Sequence, residues 1–424
     1  MLINWLLGDE KTSKRSGVIW NSAGGMFNAG QAAIILIFIS YKLGLTVAGI
    51  VTIAYAVANL FLSICKYGVR NYQVTDVKDR FSFGDYFYSR CFTTVITFGL
   101  LLLYLAFVFV VRGYSLSKII IFFEITTLKL IDAFEDVYIG RYQQKGRLDI
   151  GAKIMAIRLM VSTGLICVLI LAGMGIYASL LGGILSSVIL DIYFIRNTFQ
   201  IAQTSLSHMH TRRIAHLLKI CLPLCIGMTL SIYIGNVPKY MIDAYMGEDV
   251  QAIFGYIMMP VFVITLLNQF IYQPMIKRLG DLWESGQLQE FKRNVVKQCM
   301  IVIGLTAVVI AAGLLLGLPV LSVLYNVELS AYRMEFAVLL LGGGFYALAY
   351  YLNVPITTIR MQNYIAYGYA LATVLSVIFG RQVVLSMGMM GAAILYLGIN
   401  AFLIIAYILV LAIGISKRRV HQDE

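Results

Sequence analysis

The segment KIIIFFEITTLKLIDAFEDVYIGRYQQKGR, Lys118 to Arg147, decides the fold of this chain. Its apolar part is long enough to cross a bilayer, because a helix rising about 1.5 Å per residue spans the hydrocarbon with about 20 residues. Glu124, Lys129, Asp132, Glu135 and Asp136 interrupt that run. Each would cost roughly 2.5–3.5 kcal/mol at the bilayer centre, so these side chains must face protein, one another or water. The helix that carries them therefore belongs to a larger bundle with a polar interior. Helical spacing sets Glu124, Leu128, Asp132, Glu135 and Ile139 on one stripe, with Lys129 able to reach Asp132 one turn on. That stripe predicts a hydrated cavity.

The rest of the chain supports a membrane bundle. The 424 residues are 60% hydrophobic and 13% charged, a composition outside the range of soluble domains. Further spanning runs are expected near 18–39, 43–65, 86–111, 150–173 and 175–195, then near 215–233, 252–276, 295–318, 333–352, 363–385 and 388–413. With 118–142 they make about twelve, an all-α polytopic membrane protein. Tight turns are expected at Gly173 to Gly175 and at Met387 to Gly391. The polar stretch RNTFQIAQTSLSHMHTRR, Arg196 to Arg213, divides the spans six and six. The expected organisation is an N-terminal bundle over 1–197, a linker over 198–213 and a C-terminal bundle over 214–424. A faint echo between YKLG followed by GIVTIAYAVANLF and AYMG followed by AIFGYIMMPVFVI fits two related bundles.

The net charge of +12 carries no nucleic-acid motif. Basic residues instead gather in alternate connections, with Lys66, Arg70, Arg90, Arg141, Arg158, Arg212, Arg213, Arg360 and Lys417 among those on one side. The positive-inside rule then expects both termini in the cytoplasm and residence in the cell membrane. Met1 to Leu7 reads as an interfacial amphipathic turn rather than a signal peptide. The six cysteines lie in or beside apolar spans without CxxC spacing and are expected to be packing residues. His208 and His210 lack companions for a metal site, so no metal and no cofactor is expected. There is no P-loop, HExxH or GxSxG motif, and no enzymatic activity is expected; Gly24-Gly25 and Gly342 to Gly344 are expected to permit close helix packing.

The charges and amides within spans remain as candidates for a mechanism. In the first span Asn21, Asn28 and Gln31 recur at helical spacing and are expected to line the cavity, interhelical hydrogen bonding being the other use of such a stripe. Asn268 and Gln273 form a shorter counterpart in the second half. Glu135, Asp136 and Arg158 are expected to form a structural salt bridge between consecutive helices. Glu124, Lys129 and Asp132 lie deeper, where simple pairing leaves one acid over. Glu124 and Asp132 are accordingly the candidates for coupling to H⁺ or Na⁺. Arg70 and Arg360 are expected at the cytoplasmic mouth, where a guanidinium fork suits a phosphate, although topology alone also puts arginines there. Pro223 and Pro260, inside predicted spans, are expected to kink their helices.

WNSAGGMFNAGQ in the first span, AYAVANLFLSICKYGVRNYQVTDV through the second and AFEDVYIGRYQQKGRLDIGAK after the fourth resemble bacterial polysaccharide flippases, the lipopolysaccharide and capsule biosynthesis members of the MATE-like superfamily of multidrug, oligosaccharidyl-lipid and polysaccharide exporters. The resemblance implies two six-helix bundles that alternate between inward and outward openings. It implies a substrate too, an undecaprenyl-diphosphate-linked oligosaccharide moved to the outer leaflet, its diphosphate favouring cations such as Arg70 and Lys129. Membrane lipid and polysaccharide assembly enzymes are the further partners it implies. An ion-coupled drug exporter of the same superfamily is the alternative. A membrane glycosyltransferase or polymerase is a second, which would need a large outer loop.

Overall fold

The computed structural model describes residues 2–7, 13–76, 80–202, 209–272 and 275–423. The described residues are almost entirely helical. A short helix α1 (Leu2–Leu7) precedes α2 (Ser13–Lys42), α3 (Leu45–Lys66), the single short turn α4 (Val69–Thr75), α5 (Phe83–Arg112), α6 (Leu116–Gln144), α7 (Leu148–Leu171) and α8 (Gly175–Ala202). Then come α9 (Thr211–Tyr245), α10 (Glu248–Tyr272), α11 (Met275–Glu284), α12 (Leu288–Ala312), α13 (Leu318–Tyr325), α14 (Arg333–Thr358) and α15 (Asn363–Asp423).

Nine helical segments among the described residues are long and apolar enough to cross a membrane. The last of these is two helices run together across Gly388, whose φ of 59° and ψ of −134° break the helix. Two more segments have spanning length, the charge-bearing α6 and α10. The twelve expected spans are thus all present as helices. The helix-to-helix turns are short, and Gly173 and Gly175, at φ 81° and 75°, make the tight one expected between α7 and α8.

Three prolines of the second half lie inside continuous helices. α9 runs on through Pro223 and Pro238, and α10 through Pro260. Regular helix geometry is lost at Gly388 and at a π-helical turn, Gly313–Gly317, which ends two residues before Pro319. Glycine is the cheaper way to leave regular helix geometry, since it carries no Cβ to clash with the turn before it.

Contacts divide the chain into two compact units, Met1–Thr229 and Leu230–Glu424. The first half of α9 belongs to the first unit because Leu217 and Cys221 pack with Val69, Phe81 and Tyr86, and because the Ser63 hydroxyl donates to Thr229 Oγ1 at 3.1 Å. Within that unit α3 is central: Ala48, Val51, Ala54 and Ala58 are fully buried, their small side chains admitting neighbours on several sides. α5 lies at the edge, with Val95, Leu103 and Val110 at 71, 69 and 78% exposure, a face fit for lipid.

α1 is held by its C-terminus. Lys153 donates to the carbonyls of Trp5 and Leu6 at 3.1 and 3.3 Å, and Arg147 donates to that of Leu7. Cations satisfy the unpaired carbonyls of a helix end and complement its dipole. Leu6 is fully buried among Tyr142, Ile150, Ile154 and Phe194, so α1 is docked on the bundle by that residue. The packing role of the glycines is seen in α14, where a Cβ on Gly342, Gly343 or Gly344 would strike Tyr396, Val261 or Thr306; Gly24 abuts Met155, whereas Gly25 faces open space.

Candidate functional site

The acids of α6 do not line an open cavity. Asp132, Glu135 and Asp136 are 5, 2 and 5% exposed, and four cations from other helices together with Lys129 of α6 itself converge on them. Asp132 receives Lys129 Nζ at 2.6 Å on one oxygen and Arg158 Nη2 at 2.7 Å on the other. Glu135 receives Nη2 and Nε of the same arginine at 2.7 and 3.2 Å. Asp191, on α8, approaches Arg158 Nε at 3.4 Å. Asp136, grouped with Arg158 on sequence grounds, is held instead by Arg70 at 3.2 Å, Arg90 at 3.4 Å and Lys66 at 3.6 Å. The reason is helical geometry: Glu135 and Asp136 stand 100° apart on α6, so one faces α7 and the other faces α3 and α5.

The network has two halves of opposite sign. Around Asp136 three cations face one carboxylate. Around Arg158 three carboxylates face two cations, Lys129 and Arg158. Glu135 Oε1 is buried without a hydrogen-bond partner, in keeping with that excess of acid. An unneutralised charge in such a site is expensive, so the acidic half is fit to retain a proton or a small cation.

The amides of α2 anchor the acidic half. Asn28 Oδ1 accepts from Lys129 Nζ at 2.6 Å, Gln31 Oε1 lies 3.4 Å from the same nitrogen, and Gln31 Nε2 donates to Thr163 at 3.0 Å. Gln31, 1% exposed, thus makes interhelical bonds rather than an open lining, and Asn28 is half-buried in the same role. Asn21 is exposed. Arg70 is tied down by Asp136 and by Gln143, which accepts from its Nη2 at 3.0 Å. Glu124 stands apart: half-buried, with an inaccessible Oε2 that no donor meets. Gln273 and the Asn268 side chain lie outside the described residues, as does His208. Arg360 is exposed in the turn after α14, at a φ of 63°.

Lys66, Arg90 and Asp191 are partners that sequence reasoning missed. Lys66 and Arg90 sit near helix ends, where the positive-inside bias accounts for any basic residue and hides a specific one. Asp191 was readable, being a lone acid in the apolar run SSVILDIYFI.

In the second unit the polar interior is built of tyrosine. Tyr346 packs with Tyr350 and Tyr396 at 6.3 Å between ring centres, Tyr233 stacks on Tyr240 at 5.3 Å, and Tyr369 meets Tyr407 edge-on at 6.0 Å. Asn353 donates to the Tyr369 hydroxyl at 3.0 Å. Tyr233, Tyr240, Tyr346, Tyr350 and Asn353 are all half-buried. They offer aromatic faces with hydroxyl and amide edges, surfaces on which sugar rings and flat organic cations can both pack.

The fold is that of the MATE transporters. A multidrug resistance MATE family transporter of the MOP superfamily in its inward-facing conformation superposes with a TM-score of 0.69 at 14% identity, over 93% of this chain and 96% of that one. An outward-facing structure of a multidrug resistance MATE family transporter gives 0.61 at 17% identity, over 99 and 98%. A MOP superfamily transporter from Pyrococcus furiosus, described as having a binding pocket of reversed polarity that suggests a different function, gives 0.59 at 15% identity, over 98 and 97%. No family model matches the sequence, and no curated protein matches it.

Proposed function

We propose that this chain is a membrane transporter working by alternating access, and that its substrate is a lipid-linked oligosaccharide moved from the inner to the outer leaflet of the cell membrane during surface polysaccharide synthesis. The MATE transporter fold, spanning more than nine-tenths of the chain, is the observation that carries the transporter reading. Solved neighbours in inward-facing and outward-facing conformations support alternating access for the fold.

The substrate reading rests on chemistry. A glycan cannot enter hydrocarbon unless its water is replaced by other hydrogen-bonding groups. The half-open tyrosine and asparagine surface of the second unit supplies such groups, while the cation-rich half around Asp136 carries net positive charge toward which a diphosphate is drawn. Twelve spans keep both termini on one side, and the basic connections argue for the cytoplasm. Coupling to H⁺ or Na⁺ would engage the acidic half. Asp132 is doubly paired there, which leaves Asp191 and the separate Glu124 as the better candidates for the ion.

An ion-coupled drug exporter is the second reading, favoured by the multidrug transporters among the fold's neighbours. Reconstituted protein decides between them. Liposomes carrying a fluorescent diphosphate-linked glycolipid in the inner leaflet should show protein-dependent outward exposure, reduced at least tenfold by Tyr346→Ala with Tyr350→Ala. Ion-driven movement of a cationic dye with no glycolipid exposure would favour the exporter.

A further inference from the structure

A second basic site lies in the first unit, lined by residues that take no part in the ion-pair network. Tyr72 of α4, Arg80 and Phe81 ahead of α5, and Arg212, Arg213, His216 and Ile220 of α9 line an open pocket of about 420 Å³. We propose that it binds the phosphate of an anionic lipid headgroup.

The pocket is built rather than accidental. Phe81, 6% exposed, is its floor, with Tyr72 at 5.8 Å and His216 at 6.1 Å between ring centres and the Arg213 guanidinium 5.9 Å from its ring. Arg213 is aimed by Asp85 at 3.5 Å and by the Arg80 carbonyl, which accepts from its Nη2 at 2.5 Å. Asp76 fixes the backbone beneath, accepting from the N–H groups of Arg80 and Phe81 at 3.0 and 3.1 Å and from the Tyr86 hydroxyl at 2.8 Å. Both nearby acids are thereby occupied. Among the described residues neither Arg80 nor Arg212 makes an ion pair.

The placement of the two α9 arginines is unfavourable without a ligand. They occupy the first turn of a 35-residue helix that has no acid in that turn. The positive end of the helix dipole disfavours cations and favours an anion there. Topology explains the sign of Arg212 and Arg213, but not why Arg80 and His216 converge with them on one pocket. A phosphate would take charge-assisted hydrogen bonds from the guanidinium groups and relieve their repulsion from the dipole.

The same helix argues for a lipid source. Arg212, His216, Ile220 and Leu224 follow one another at spacings of four along one stripe of α9, from charged to apolar. Ile220 and Leu224 are 37 and 42% exposed. A headgroup at the arginines would therefore lay its acyl chain along an apolar face, the arrangement of basic lipid sites at membrane-protein helix ends.

The test uses the full-length protein purified in a zwitterionic detergent. Retained phosphatidylglycerol is counted by native mass spectrometry, and unfolding is followed as phosphatidylglycerol, phosphatidylcholine or inorganic phosphate is added. Phosphatidylglycerol is expected to bind and raise the unfolding temperature, and Arg80→Gln with Arg212→Gln to weaken it about tenfold. Arg293→Gln with Lys297→Gln, an equal loss of exposed charge elsewhere, should leave binding unchanged. Both arginines of the test pair are exposed and make no ion pair among the described residues, and each single variant is measured as well, so loss of folding is separable from loss of binding. Equal retention by the two double variants would overturn the site. Saturation by millimolar inorganic phosphate, with no preference for phosphatidylglycerol, would overturn the lipid as its source.

Discussion

Arg158 holds three carboxylates, and single substitutions around it should diverge in sign. Arg158→Met strands buried Glu135 and Asp191, leaving Asp132 to Lys129 alone, and is expected to cost about 3–5 kcal/mol in stability, read as a large fall in unfolding temperature in detergent. Asp191→Asn removes the excess acid and should leave stability unchanged or raised; equal losses from both variants would refute the charge balance described for this half. Asp76 gives a pH test outside the membrane. Burial alone would raise its carboxyl, but bonds from the Arg80 and Phe81 amides and the Tyr86 hydroxyl outweigh burial and hold it below its ordinary value of 3.8. A lowered carboxyl contributes stability fully above that ordinary value, and the contribution is lost as pH falls through the lowered one. Acid unfolding between neutral pH and pH 2 should therefore be shallower in Asp76→Asn, which starts less stable at pH 7. At this scale the sequence was half legible. Acids inside an apolar run announce themselves because nothing but a partner explains them, whereas Lys66 and Arg90 look like topology, and tyrosines such as Tyr346 look like ordinary membrane packing.

At the scale of elements the glycines of α15 make the clearest test. Gly388 has a backbone conformation open to glycine and strained for any other residue, and a Cβ on Gly391 would stand 2.2 Å from the Val383 carbonyl oxygen, which cannot move aside. Gly388→Ala and Gly391→Ala are each expected to cost about 1–3 kcal/mol. Gly398→Ala, with nothing within 4 Å of its Cβ, should be neutral or mildly stabilising. Thermal unfolding of the three variants side by side checks this, and a harmless Gly391→Ala would contradict the turn. The Gly388 break could be read beforehand, because two spanning runs had to be joined by a turn near Met387 to Gly391. The π turn at Gly313–Gly317 could not be read from GLLLG, which continues an apolar helix, although Pro319 just beyond it lacks the N–H that would bond the Leu315 carbonyl, and Gly313 and Gly317 pack against Phe336 and Leu340. Pro223 and Pro260 lie inside continuous helices. In lipid a missing N–H at Pro223 or Pro260 need not end a helix when neighbouring groups satisfy the freed carbonyl.

At the scale of the whole molecule the number and order of spans were legible because the bilayer demands about 20 apolar residues per crossing, while the MATE fold is shown by likeness to solved structures. Substrate is a different matter, since many cargoes share a fold and the site alone distinguishes them. The candidates here are a charged network in the first unit and, taken separately, a tyrosine surface in the second. The central claim, outward movement of a lipid-linked oligosaccharide, is tested most directly by its sidedness in cells lacking this protein, read with a membrane-impermeant glycan-modifying reagent. The expected result is glycan protected on the inner leaflet and exposed again when the wild-type chain is restored, but not when Tyr346→Ala with Tyr350→Ala is. Normal exposure in the cells without the protein would contradict it.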